Sequence, residues 1–185
     1  MISVNELKRG QYILFQDSPH SIVESTFVSP GKGSAFYRFR LKSLFTTRVV
    51  DFTFKSGEKV EEVMVETQEA EYSYFDGDNY VFIEPRSFEQ YFVSIDVMGD
   101  DKAYLKEGTL YRIKFYEEKA VGVILPKTIV AKVTYTEPSV KGDTVTNAMK
   151  AATLDTGTTI QVPLFVGNGD ELIINTESGT YVSRN

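Results

Sequence analysis

Apolar and polar residues alternate along this chain in about fifteen short runs, each closed by a turn-forming residue, and little of it repeats at helical spacing. Alternation of this kind commits the chain to β-sheet, and runs this short predict several small all-β units, read here as small barrels. A length of 185 residues accommodates three such units of roughly 60 residues, each burying a modest core, so packing at their junctions should matter. Local signals set the expected units at 1–64, 65–126 and 127–185. Lys59–Glu66 carries the chain from the first unit into the second, and Pro126 marks the second junction. Within the middle unit, Asp76-Gly77-Asp78 reads as a hairpin turn, and Ser87-Phe88-Glu89-Gln90 as a capping box opening a short helix.

Little in the composition favours an enzyme. The chain has no cysteine, which excludes disulfides, thiolate nucleophiles and cysteine metal sites and suits a reducing cytoplasm. Its single histidine, His20, follows Pro19 and reads as an exposed turn residue. The acidic pairs Glu61-Glu62, Asp100-Asp101 and Glu117-Glu118 read as solubilising, because neighbours on a strand point to opposite faces. Neither G-x-x-x-x-G-K-[ST] nor G-x-G-x-x-G occurs, so no nucleotide loop is expected. No metal or cofactor is expected, nor any membrane association, since no apolar run approaches a membrane span and the first residues lack a signal-peptide pattern.

One loop stands out. Pro30-Gly31-Lys32-Gly33 joins strand-like runs at 21–28 and 35–42. Pro30 presets its φ, while Gly31 and Gly33 flank Lys32 without side chains, so the lysine projects alone from the tip. In the run that follows, alternation sets Tyr37, Phe39 and Leu41 on one face and Arg38, Arg40 and Lys42 on the other, at roughly 6.6–7 Å spacing, close to a phosphate ladder. Six basic residues (these three with Lys32, Arg48 and Lys55) oppose a single acid, Asp51, across residues 28 to 55.

Charge is shared unevenly. The three expected units carry +2, −7 and −1, for a net −6. A basic end and an acidic middle suit a protein that touches nucleic acid at chosen places, because acidic surface elsewhere limits non-specific binding.

Along essentially its whole length the chain resembles bacterial elongation factor P, a family of translation factors. The resemblance rests on Met1–Leu7, Pro30–Gly33, Phe54–Val60 and the signature K-x-A-x₄-G-x₂-[LIV]-x-V-P-x₂-[LIV]-x₂-G, met by Lys150, Ala152, Gly157, Ile160, Val162, Pro163, Val166 and Gly169. It implies an SH3-like barrel followed by two OB-fold barrels in a tRNA-like L, acting as a cytoplasmic monomer. It further implies binding to the ribosome between the peptidyl and exit sites at polyproline stalls. The residue matched by Lys32 then reaches the CCA end of peptidyl-tRNA and often carries a covalent extension added by a modifying enzyme, of a type this chain does not reveal. By the same resemblance, Gly142, Asp143 and Thr144 lie near the exit-site mRNA codon, and Tyr181 and Arg184 lie near RNA. With Arg38, Arg40, Lys42 and Lys55 these residues make up the expected RNA-binding set.

The chain departs from the family pattern at Arg9, often proline, at Ala151, commonly proline, and at Glu177, frequently basic. Ser29 also departs from the basic or proline residue of several subgroups. Two other readings stay open: a paralogous factor with different stall specificity, and a generic OB-fold binder of single-stranded nucleic acid.

Overall fold

The computed structural model describes residues 1–139 and 148–185. Its first sheet contains β1 (Ile2–Ser3), β2 (Tyr12–Phe15), β3 (Ser18–Val28), β4 (Phe36–Ser43), β5 (Val49–Lys55) and β6 (Lys59–Glu62), ordered β1-β6-β2-β3-β4-β5. The second contains β7 (Glu66–Phe75), β8 (Asn79–Ile83), β9 (Gln90–Ser94), β10 (Leu110–Tyr116) and β11 (Lys119–Ile124), ordered β11-β10-β7-β8-β9. A four-residue helix, α1 (Ile95–Met98), follows β9. The third sheet is ordered β14-β13-β12-β15-β16, from β12 (Thr128–Thr136), β13 (Met149–Leu154), β14 (Thr159–Pro163), β15 (Glu171–Asn175) and β16 (Thr180–Arg184). Every strand pairing is antiparallel, as short runs joined by tight turns require.

Each sheet has its own apolar cluster. Ile13, Ile22, Phe39 and Leu41 fill the first, Phe82, Val93 and Ile113 the second, and Val133, Val162, Leu172 and Ile174 the third. The alternation read from sequence places Phe39 and Leu41 inside with no exposure. The signature stretch also resolves into packing: Ala152, Ile160, Val162 and Val166 are core residues, Gly157 and Gly169 turn with φ of +84° and +86°, and Pro163 accepts a bond from the Val166 amide at 3.1 Å. Lys150 donates through Nζ to the Glu137 carbonyl at 2.7 Å.

Three expectations are corrected. His20 is not an exposed turn residue: it lies buried on β3, its ring edge-on to Phe15 at 5.5 Å and its Nδ1 2.8 Å from the Ser18 carbonyl. No helix opens at Ser87, because the Glu84 carboxylate accepts from the Ser87 and Arg86 amides and folds that segment into a turn. The helix begins instead after Ser94, whose hydroxyl caps the Val97 amide at 3.3 Å. Finally, Glu117 and Glu118 are not strand residues. They form the two-residue turn between β10 and β11 with φ of +46° and +64°, as Gln16 and Asp17 do between β2 and β3 at +51° and +58°. Both turns have the type I′ twist without the glycine usually found there.

Side chains bridge the sheets. Phe45, after β4, lies 6.4 Å from the Tyr116 ring, with Lys119 Nζ 4.6 Å above its own centroid. Tyr104 packs on the third core, and Lys106 Nζ donates to the Val130 carbonyl at 3.2 Å.

Candidate nucleic-acid interface

The hairpin of β3 and β4 presents Lys32. Its strands run in register to Val28↔Phe36, and the intervening loop is anchored where the Ser56 amide donates to the Ala35 carbonyl at 3.0 Å. Gly33 adopts φ +109°, open to glycine and strained for other residues. Lys32 is exposed and makes no ion pair among the described residues.

The basic face is less uniform than its sequence. Arg40 lies opposite both Glu24 on β3 and Asp51 on β5. Its Nε donates to Asp51 Oδ1 at 2.9 Å, Nη2 to Asp51 Oδ2 at 3.4 Å and Nη1 to Glu24 Oε2 at 3.4 Å. These bonds hold the Asp51 carboxyl below its ordinary range, chiefly through the hydrogen bond from Arg40, and leave Arg40 little charge to offer a phosphate. A charge count starting at residue 28 passes over Glu24, which a register shift between Ile22 and Glu24 sets opposite Arg40. Arg38 faces Thr26 and Thr53, and Lys55 faces Phe36. Neither has a carboxylate partner among the described residues.

Lys42 lies farther along the same face of β4. It shares the junction of the first two sheets with Lys114 and Asp101. Burial lowers the Lys114 amine, with Lys42 adding repulsion and Asp101 offsetting it. Burial raises the Asp101 carboxyl, against the pull of the two lysines. Gly122 makes room for this amine, since a Cβ there would meet Lys114 Cε at 2.8 Å.

At the far end, Tyr181 is half-buried against the third core. Arg184 lies 3.7 Å from Asp170 and 5.8 Å from the Phe165 ring centroid. Both are engaged within their own sheet. Gly142, Asp143 and Thr144 lie outside the described residues.

The middle sheet carries an acidic groove of about 880 Å³, lined by Glu66, Glu89, Glu117 and Glu118 with one cation, Lys119, over Tyr91 and Phe92, a net negative field that disfavours phosphate. No group of three or more metal-ligating side chains occurs among the described residues. The arrangement therefore offers one exposed cation at a fixed tip, two cations behind it and acidic surface beyond.

One feature escaped the sequence reading. Phe27 and Tyr37 pair across β3 and β4 with ring centroids 4.9 Å apart, and Phe27 stays 54% exposed. Alternation marks Tyr37 as core-facing, but the hairpin extends past the point where other elements cover that face.

Three family models match the chain in succession: the elongation factor P KOW-like domain over residues 3–60, the elongation factor P OB domain over 65–123, and the elongation factor P C-terminal model over 129–184. Similar solved structures include eukaryotic translation initiation factor 5A from Methanococcus jannaschii, at 24% identity and TM-score 0.47, covering 66% of this chain and 94% of that one. Another is a translation initiation factor eIF-5A family protein from Naegleria fowleri, at 16% identity and TM-score 0.45, covering 67% of this chain and 94% of that one.

Proposed function

Since this chain belongs to the elongation factor P family of translation factors, we propose that it binds the ribosome between the peptidyl and exit sites and promotes peptide-bond formation at polyproline stalls. In this reading its units are 1–64, 65–126 and 127–185, and Lys32 approaches the CCA end of peptidyl-tRNA, with or without a covalent extension.

The observation that carries the proposal is the tip itself: a lysine with no ion-pair partner among the described residues, exposed between two glycines on a hairpin anchored to a buried core. A cation whose loop is set by paired strands restricts a flexible tRNA end, at the cost of ordering its own long side chain. It aids catalysis by ribosomal RNA through positioning. Arg38 and Lys55 supply contacts to the nucleic-acid backbone, which position without reading sequence. Of the two expected OB folds, the middle one has four glutamates along its groove, which weighs against a generic single-strand binder there.

The test compares wild type with Lys32→Ala on ribosomes stalled at three consecutive prolines. Wild type is expected to accelerate peptide-bond formation and the variant to lose that effect. The cost in folding stability should stay within about 0.5 kcal/mol, as expected for an exposed loop side chain. Full activity of the variant would falsify the role of the tip.

A further inference from the structure

The second sheet curls round without pairing its two outermost strands. These are β9 and β11, which approach each other but share no ladder. The acidic groove runs between them, with Gln90, Tyr91 and Phe92 on one side and Lys119 and Ala120 on the other. Two bonds fix which backbone groups of β9 are used. The Glu84 amide donates to the Glu89 carbonyl at 2.9 Å and the Ile95 amide to the Asp78 carbonyl at 3.1 Å, so Glu89, Tyr91, Val93 and Ile95 occupy the bonded pairs of this antiparallel ladder. The amides and carbonyls of Gln90 and Phe92 therefore point away from β8, toward the groove, where no strand among the described residues pairs with them. Proteins usually blunt such an edge with a charge, a proline or a bulge. Gln90–Ser94 contains no charged residue and no proline, and it pairs with β8 without a register shift.

The same edge cuts off an apolar row. Tyr74, Val81 and Phe92 are register partners across β7, β8 and β9. Their neighbours Phe82 and Tyr91 belong to the core, so Val81 and Phe92 lie on the outer face. Val81 is nonetheless fully covered, while Tyr74 and Phe92 on either side of it are 43% and 48% exposed. The row ends at Phe92. An extended segment laid along β9 supplies what both features lack: bonding partners for Gln90 and Phe92, and an apolar side chain beside Phe92 that continues the row.

Charge selects the segment. Glu66, Glu89, Glu117 and Glu118 outnumber Lys119 around the groove, and residues 65–126 carry six basic against thirteen acidic residues. A second copy of this chain or a nucleic-acid strand would bring negative charge to negative charge. A segment whose alternate residues are lysine or arginine complements the groove instead.

We propose that the β9 edge is a docking site for a basic, extended segment of a partner protein, which joins the second sheet as a further strand. Its apolar residues meet Phe92 and its lysines or arginines meet the glutamates. The site lies on a different sheet from Lys32 and does not depend on the ribosomal reading.

The probe is a short blocked peptide alternating lysine with valine, titrated into the full-length protein and followed by amide NMR. It should shift the Gln90 and Phe92 amides and slow their exchange with solvent. Two further peptides, one N-methylated at the valines and one at the lysines, keep every charge but each lose the donors along one edge. Only one of them should lose affinity, by at least about tenfold, as for two hydrogen bonds. Glu66→Gln combined with Glu117→Gln should weaken the unmethylated peptide by about fivefold, as for two exposed ion pairs, and reduce the salt dependence of its binding.

Equal affinities of the two methylated peptides overturn the proposal, as do shifts that leave β9 untouched or a glutamate–valine peptide that binds as well. A single-stranded RNA oligonucleotide that moves the Gln90 and Phe92 amides as far as the lysine peptide does also overturns it, and would assign the groove to nucleic acid.

Discussion

Arg9 Nη2 lies 3.0 Å from Glu177 Oε1, joining a turn of the first sheet to the β15–β16 turn 168 residues later. Both residues depart from the family pattern, and the structure makes them each other's partner. Glu177 is set for this by Asn175, whose side-chain oxygen accepts from the Glu177 and Ser178 amides at 2.9 and 3.0 Å. A carboxylate that would repel RNA is instead neutralised by the guanidinium.

The pair is 71% and 81% exposed, so its coupling should be about 0–1 kcal/mol and fade with salt. A double-mutant cycle of Arg9→Glu and Glu177→Arg, read by urea denaturation at low and high salt, is expected to show that coupling, with the charge-swapped double variant recovering the wild-type midpoint. A coupling unchanged by salt would mean the side chains meet through packing rather than charge.

Arg38 and Arg40 should behave differently despite their spacing. Arg38→Ala and Lys55→Ala are each expected to lower the log-log salt slope of ribosome binding by roughly one. Arg40→Ala combined with Asp51→Asn removes a bonded pair at constant net charge and should leave the slope as it is. Salt-dependent binding isotherms check this, and a unit drop for the Arg40 double variant would return that residue to the phosphate-contacting set.

Acid stability should depend on the β7–β8 turn. Asp76 Oδ1 accepts from the Asp78 and Asn79 amides at 2.9 and 2.7 Å, and the bond from Asp78 foremost holds its carboxyl below the ordinary 3.8. A carboxyl depressed in the folded state stabilises fully above its unfolded value, and that contribution is lost as pH falls through the folded one. Urea midpoints should therefore decline below about pH 4. Asp76→Asn should start lower at neutral pH and decline less steeply.

Replacing Glu117-Glu118 by Asn-Gly should stabilise the protein by about 1 kcal/mol, because left-handed backbone is costly for ordinary L-residues and nearly free for glycine. Thermal denaturation measures the gain. No gain would show that the glutamates offset the strain through contacts along their groove.

Much of the strand pattern was legible because alternation and burial are the same fact read twice: Phe39 and Leu41 are inside, Arg38 and Arg40 outside. Pairing across strands was not legible. Nothing local to Arg40 announces Glu24, because a register shift one strand away decides their meeting, and His20 beside Pro19 gives no local sign that β3 begins before it. The glycine-free turns were missed for a related reason: in-register pairing of the flanking strands imposes the left-handed backbone on Gln16-Asp17 and Glu117-Glu118 against their own preference. At the site, the sequence showed Lys32 plainly, since glycine on both sides is a local signal. Phe27 did not stand out, because its exposure depends on how far the hairpin outruns the core.

The most recognisable stretch of the chain, from Lys150 to Gly169, is given over to side chains that fill the third sheet and glycines that bend it. A descendant could therefore keep every residue of that signature while exchanging the few at the hairpin tip. It would still be identified as kin on sight, having already changed its trade.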